Sequence, residues 1–276
     1  MRFQDYPPQE SAAGAAATYR EACIAGSFGV PFAEFSFGTD PHQSLGIYPA
    51  KRKNAPLFVF LHGGGWDRGY KENMGFMAPA FTDAGIAFAS VGYRLAPEHL
   101  FPSMLEDTVA GLKLLYDSAD ALGLDRSRIH IGGHSAGGHL AALLAVRRDW
   151  QAAHGMPPDV IKSCLPISGV FRFGPGSGLA KRPRFLGDDD RNEQAASPVV
   201  RIMQPTPFLI AYGEKDFQHL IVQAEEMICA LRKAGGAVET ILFEGRDHFT
   251  SSLAGGERDG PWVARALAFI NSPKSG

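Results

Sequence analysis

The chain has 276 residues, a formal net charge of −2, 20% charged and 45% hydrophobic residues, a balance that excludes a polyanion partner and suffices for a large core in one domain. Its three cysteines, Cys23, Cys164 and Cys229, are far apart and odd in number, which excludes a disulfide framework and any zinc-type spacing and leads us to expect a reducing, intracellular setting. The leading residues MRFQDYPPQE lack the basic and apolar regions of a secretory signal, and no apolar run approaches ~18 residues, so a cytoplasmic protein without a membrane partner is expected.

In chain order, Ser11 to Ala25 is alanine-rich and predicts a helix, within a segment 1–30 that could cover one end of the core or a pocket. Two alternating runs, Phe32 to Phe37 and Ser44 to Tyr48, joined by Gly38-Thr39-Asp40-Pro41, predict an antiparallel hairpin at a sheet edge. Leu57 to Leu61 is instead continuously apolar, the pattern of a parallel strand buried on both faces. A helix from Glu72 to Ala84, a strand from Ile86 to Val91 and an amphipathic helix from Ser103 to about Ala121 follow. The alternation continues through strands at Arg128 to Ile131, Ser163 to Ser168, Pro207 to Tyr212 and Val238 to Phe243, with helices at Ala136 to Val146, Gln218 to Ala234 and Pro261 to Ile270. This is a single α/β domain spanning 1–276, a mostly parallel doubly wound sheet with helices on both faces and an antiparallel N-terminal edge. Ligands of such sheets bind beyond the carboxyl ends of the strands. One stretch, 170–201, is rich in Gly, Pro and charge and lacks periodicity, which reads as loop-rich cover for a site. Basic residues gather at Lys51, Arg52 and Lys53 and at Lys181, Arg182 and Arg184, both in Pro-containing loops that read as solvated surface, so no nucleic-acid partner is expected.

The chemistry is concentrated in RIHIGGHSAGGHLAALL, Arg128 to Leu144. Gly133-His134-Ser135-Ala136-Gly137 sits between a strand and a helix, the setting in which a sharp turn lifts a serine hydroxyl to where a base reaches it. A serine nucleophile needs such a base. His248, in Gly245-Arg246-Asp247-His248-Phe249, follows a predicted strand at its carboxyl end, as does Asp216, closing FLIAYGEKD. The order Ser135, Asp216, His248 is that of nucleophile, acid and histidine in this type of fold, with Glu214 and Asp247 as alternative acids and His219 read as a surface or supporting residue. An oxyanion would be met by the backbone N–H groups of Gly64 and Gly65, in His62-Gly63-Gly64-Gly65-Trp66, and of Ala136. His130, His134 and His139 do not share a helical face, so they supply no metal site, and no cofactor motif is present.

HGGGW at 62–66, YRLAPEHLFP at 93–102, ED at 106–107 and GHSAGGHLAA at 133–142 resemble the signatures of the α/β-hydrolase superfamily, in particular its hormone-sensitive-lipase-like esterases. From His134 onward HSAGGHLAALLA, the DW at 149–150, HG at 154–155, PISGVF at 166–171, SP at 197–198 and DHF at 247–249 also resemble the arylformamidase (kynurenine formamidase) branch. The resemblance implies a cofactor-free serine hydrolase of small carboxylic esters or aryl formamides. The same roles fall on Ser135, Asp216, His248, Gly64, Gly65 and Ala136. A lactonase, amidase or acyltransferase would use the same triad, a non-catalytic ligand-binding member of the fold is the rival class, and homo-oligomerisation is left open. Trp66 and Phe217 are candidate substrate contacts, and with Phe28, Phe32, Phe171, Phe173 and Phe185 they predict a compact, aromatic-lined pocket.

Overall fold

The computed structural model describes residues 5–179, 182–203 and 205–272. Residues 1–4 of the expected N-terminal cover, and Ala180 and Lys181 of the 170–201 stretch, lie outside the described residues. Helix α1 (Ala15–Ser27) leads into strands β1 (Ala33–Ser36), β2 (Ser44–Tyr48) and β3 (Ala55–Leu61). Then come α2 (Ala78–Thr82), β4 (Ala87–Val91), α3 (Ser103–Asp117), β5 (Leu124–His134), α4 (Ala136–Val146) and β6 (Ile161–Ile167). Two short helices, α5 (Arg182–Leu186) and α6 (Arg191–Ala195), precede β7 (Phe208–Lys215), α7 (Gln218–Lys233), β8 (Val238–Asp247), α8 (His248–Leu253) and α9 (Pro261–Asn271).

The eight strands form one sheet in the order β1-β2-β4-β3-β5-β6-β7-β8. β1, β2 and β4 pair antiparallel, forming the predicted N-terminal edge, and every pairing from β4 onward is parallel. The continuous apolar run of β3 follows from its position inside the sheet: Leu57, Val59 and Leu61 enter the core on one face, Phe58 and Phe60 the core on the other. Burial of each such side chain contributes about 1.5–3 kcal/mol, and a strand covered on both faces has no position that favours a polar residue.

The parallel register positions the site. Leu61 lies beside Gly133, His134 beside Ile167, Ile167 beside Ala211, and Lys215 beside Asp247. The next residues in the chain, His62, Ser135, Ser168, Asp216 and His248, therefore leave the sheet along one edge. The YR and ED signature residues act a little away from it, where Arg94 grips Asp107 through Nε and a terminal nitrogen at 2.8 Å each. Gln43 adds a further 2.8 Å hydrogen bond to the same carboxylate, tying the hairpin to α3.

Several elements depart from their predicted bounds. The helix expected at Glu72 to Ala84 is a 3₁₀ helix over Lys71–Met77 that passes into α2, because Pro79 lacks the N–H an α-helix would donate to Gly75. Helix α1 begins at Ala15 rather than Ser11, after Gly14 at φ 55°. α3 ends at Asp117 rather than near Ala121. β5, β7 and β8 run longer than their apolar stretches, since parallel neighbours continue to accept their backbone hydrogen bonds. The 170–201 stretch holds α5 and α6 rather than loop alone, and Arg184 there is on the surface, in an exposed ion pair with Glu10 at 3.3 Å.

Candidate active site

Ser135 stands between β5 and α4 with φ 54° and ψ −116°, a conformation that a side-chain-bearing residue holds at a cost of about 1–3 kcal/mol. Glycines make the turn feasible: a Cβ at Gly133 would lie 2.3 Å from the carbonyl carbon of Gly137, and one at Gly137 would lie 2.2 Å from the Leu61 oxygen. The Ser135 N–H is bound to the Ile167 carbonyl at 3.0 Å, which fixes the turn to the end of β6.

His248 and Asp216 reach the same point from β8 and β7. Ser135 Oγ lies 3.0 Å from His248 Nε2, and His248 Nδ1 lies 2.8 Å from Asp216 Oδ1. Burial works to raise the Asp216 pKa, but the hydrogen bond and charge of His248, the Ser168 hydroxyl and the Phe217 N–H outweigh it and hold the carboxyl below its ordinary value. An ionised Asp216 only accepts, so Nδ1 of His248 carries the proton and the Nε2 lone pair faces the serine hydroxyl. This arrangement can draw a proton from Ser135 as its oxygen attacks a carbonyl. Ser168, also at positive φ, was not singled out in the sequence; its position at the end of β6 is the signal that could have found it.

The alternative acids are engaged elsewhere. Asp247 caps α8, accepting from the backbone N–H groups of Phe249 and Thr250 at 3.1 and 2.8 Å in a capping box, and so sets the direction in which His248 leaves the strand. Glu214 is exposed and accepts from Gly245 N–H at 2.7 Å.

A cavity of about 370 Å³ opens over Ser135. Gly64 and Gly65 line it, and Gly64 requires glycine twice over: φ is 125° and a Cβ would lie 2.1 Å from the Arg68 carbonyl oxygen. Ala136 is fully buried behind Ser135 as the first residue of α4, so its N–H has no carbonyl one turn earlier in the helix to bind. Gln9, Ala16 and Tyr19 from the N-terminal segment and Val170 and Leu179 from the 170–201 stretch also reach the wall. Gln9 is strapped to the oxyanion-side loop, its Oε1 accepting from Gly69 N–H at 2.8 Å and its Nε2 donating to Gly69 O at 3.1 Å.

The aromatic residues divide differently from expectation. Phe217 lines the cavity, 47% exposed, with its ring 4.7 Å from that of His248. Trp66 touches the cavity but is otherwise buried, stacked on Phe185 at 4.2 Å and donating its indole N–H to His139 Nδ1 at 3.1 Å. Phe171, Phe173 and Phe185 are core residues behind the wall, Phe32 packs on Tyr48 at 5.4 Å, and Phe28 is 83% exposed, so these five do not line the pocket. Their aromatic character carried no information on which side of the wall they lie. Phe249 and Tyr19, not singled out in the sequence, do line it. His219 also reaches the cavity, its ring stacked at 5.9 Å on Phe217, with burial the first cause of its lowered pKa.

An eight-stranded, mostly parallel sheet with a serine at the turn after its fifth strand, and an acid and a histidine after its seventh and eighth, defines an α/β-hydrolase architecture. The chain matches the BD-FAE family over residues 45–162 and the Prolyl oligopeptidase family over residues 181–273. It is 28% identical over 256 residues to Esterase LipC of Mycobacterium tuberculosis, covering 85% of this chain and 63% of that protein. It is 34% identical over 205 residues to Carboxylic ester hydrolase LipN of the same organism, covering 67% of this chain and 54% of that one, so it spans less than two thirds of either relative. A solved Pyrobaculum calidifontis esterase superposes with a TM-score of 0.74 at 22% identity, covering 92% of this chain and 89% of the other, a likeness of fold. The chain has the α/β-hydrolase fold, and its likeness is to the hormone-sensitive-lipase-like esterases. Among the described residues no helix is long and apolar enough to cross a membrane.

Proposed function

We propose that the protein is a serine hydrolase of small carboxylic esters, acting as a single domain through an acyl-enzyme and taking a small molecule as its partner. The observation that carries this reading is the continuous hydrogen-bonded line from Ser135 Oγ to His248 at 3.0 Å and on to Asp216 at 2.8 Å, at the floor of a cavity lined by Gly64 and Gly65. In the first half-reaction Ser135 Oγ attacks the ester carbonyl while His248 Nε2 takes its proton; Asp216 stabilises the imidazolium formed. The carbonyl oxygen becomes an oxyanion, for which the N–H groups of Gly64, Gly65 and Ala136 are the donors at hand. His248 returns its proton to the departing alkoxide, and a water then repeats the sequence on the acyl-enzyme, releasing the acid.

A cavity of about 370 Å³ lies at the small end of the ligand-site range, which favours short acyl groups. The test is to compare kcat/KM for p-nitrophenyl acetate, butyrate and palmitate with N-formylkynurenine under one set of conditions. Short-chain esters are expected to exceed palmitate by at least about tenfold, about 1.4 kcal/mol of transition-state binding. Best activity on palmitate would refute a compact site. Turnover of the formamide would extend the reading to aryl formamides, whose carbonyl presents the same geometry to Ser135; best turnover on amide, lactone or acyl-transfer probes would reassign the acyl acceptor or leaving group without changing the nucleophile.

A further inference from the structure

Asn73 has no place in the chemistry above, and its situation is unusual for a buried amide. It lies in the 3₁₀ helix Lys71–Met77, it is 7% exposed, and it forms part of the cavity wall. Its backbone is fully used: the N–H donates to Tyr70 O at 3.2 Å, and the carbonyl accepts from Ser27 Oγ at 3.3 Å. Its side chain is not. Among the described residues Oδ1 is buried without a hydrogen-bond partner, and Nδ2 has none either. Leaving a buried amide unbonded costs about 1–3 kcal/mol, and a leucine of similar volume in the same place would carry no such cost. Of the two amide atoms the enclosed Oδ1 can only accept, so it is the Nδ2 donor, on a residue of the cavity wall, that is left for a ligand oxygen.

A second donor reaches the same cavity. Arg20, one turn into α1, lines the wall with its Cζ 5.4 Å over the ring of Tyr70, the residue whose carbonyl holds the Asn73 N–H. Among the described residues Arg20 has no carboxylate partner, whereas Arg68 on the same wall is already held by Asp67 and Glu10, each at 2.9 Å. Much of the remaining surface is apolar: Ala12, Ala16, Trp66, Val170, Leu179 and Phe249. A largely apolar pocket with a few convergent polar groups selects the part of the ligand that satisfies them, and a site that leaves its own polar group unpaired discriminates most strongly against ligands lacking the matching one.

We infer that Asn73 is a specificity-determining residue, and that with Arg20 it selects esters bearing a hydrogen-bond-accepting oxygen away from the scissile group, a hydroxyl or a carboxylate, over purely apolar esters. This inference rests on the ester-hydrolase reading for its turnover arm and is independent of it for its binding arm.

The experiment uses two size-matched pairs: propyl butyrate with 2-hydroxyethyl butyrate, which place the oxygen on the alcohol side, and ethyl pentanoate with monoethyl succinate, which place a carboxylate on the acyl side. The readout is the ratio of kcat/KM, oxygenated over apolar, within each pair. In the unsubstituted protein at least one ratio is expected to exceed about tenfold, and Asn73→Leu is expected to bring it down by about the same factor, with Asn73→Ala as a second variant should the bulkier one not fold. Arg20→Met should lower the succinate ratio more than the hydroxyethyl ratio, and a variant that leaves both ratios unaltered would remove Arg20 from the selection. The same four ligands are then titrated by calorimetry into Ser135→Ala, with and without Asn73→Leu. Binding that depends on Asn73 without any hydrolysis in the unsubstituted protein would sink the hydrolase reading and keep the inference. Ratios near one in the unsubstituted protein, or ratios that Asn73→Leu and Asn73→Ala leave unaltered, would overturn the inference while leaving the hydrolase intact.

Discussion

His134 and His248 lie ring against ring, their centroids 4.7 Å apart, with His134 Nε2 3.0 Å from the His248 carbonyl oxygen. A carbonyl only accepts, so His134 carries its proton on Nε2. Burial, reinforced by the charge of His248, pushes its pKa down to about 3, so it remains neutral beside the base. The contact orients His248 from beneath without adding a second cation where an imidazolium would form. His134→Ala should therefore lower kcat about tenfold to a hundredfold with little change in KM, since what is lost is alignment of the base rather than substrate contact. A rise in KM with kcat intact would assign His134 to binding instead.

Ser135→Ala should reduce kcat by about 10⁵ to 10⁶, because triad members act as a unit. An organophosphonate should label the unsubstituted protein once per chain, at Ser135. Mass spectrometry placing the label on another residue would remove Ser135 from the nucleophile role.

Asp216 and Asp247 separate orientation of the imidazole from capping of the helix. Asp216→Asn should cost about 10⁴ in kcat by favouring the wrong tautomer of His248. Asp247→Asn should leave most of the rate, and Asp247→Ala should cost about 1 kcal/mol of stability through loss of the α8 cap. Steady-state kinetics and urea unfolding on the same preparations give both readings, and the reverse ranking in kcat would exchange the two roles.

Phe217 and Phe173 are both aromatic, the first on the cavity and the second packed on Trp66 behind its wall, so only the first lies on the open side. Phe217→Ala should change KM with little effect on unfolding, since its ring is 47% exposed. Phe173→Ala, which opens the buried cluster with Trp66, His139 and Phe185, should cost about 3–5 kcal/mol. Chemical denaturation beside Michaelis kinetics distinguishes them.

Three buried histidines give stability a defined pH dependence. Burial lowers His62 and His134 to about 3 and His139 to about 4, against about 6.5 for an exposed imidazole. Between about pH 6.5 and 4 the unfolded chain binds protons on these rings that the native protein does not, so stability is full above that window and falls as the pH drops through it. The slope approaches about 1.4 kcal/mol per pH unit for each histidine, before any carboxylate contributes. Urea unfolding at pH 7, 6 and 5 measures it, and His139→Gln should reduce the slope by less than a third, because burial lowers His42 in the same direction. A stability flat from pH 7 to 5 would contradict neutral burial of these rings.

Some of this was legible from residue order alone. A short continuous apolar run such as LFVFL, bounded by turn residues, reads as a strand covered on both faces, and the change from period 2 to a helical period marks each crossover, so the parallel sheet and its hairpin edge follow from local pattern. The residues that meet at the cavity floor were legible for a related reason: in a parallel sheet, whatever follows each strand emerges on the same edge, and Ser135, Asp216 and His248 each follow one. Gly133 and Gly137 could be read as close-packing positions because no other residue fits where strand and helix backbones touch.

What only the tertiary structure decided concerns which side of a wall a side chain faces and what lies across it. Phe171, Phe173 and Phe185 looked like pocket residues and are core, while Tyr19 and Phe249, which nothing in the sequence marks out, line the pocket, because aromatic character serves either side equally. Ser168 beneath Asp216, His134 beneath His248 and the unbonded amide of Asn73 are relations between segments distant along the chain. Sequence periodicity encodes the face of one element, whereas a hydrogen bond made or left unmade depends on how several elements pack together, and that is settled only when the sheet closes its register and the helices settle on it.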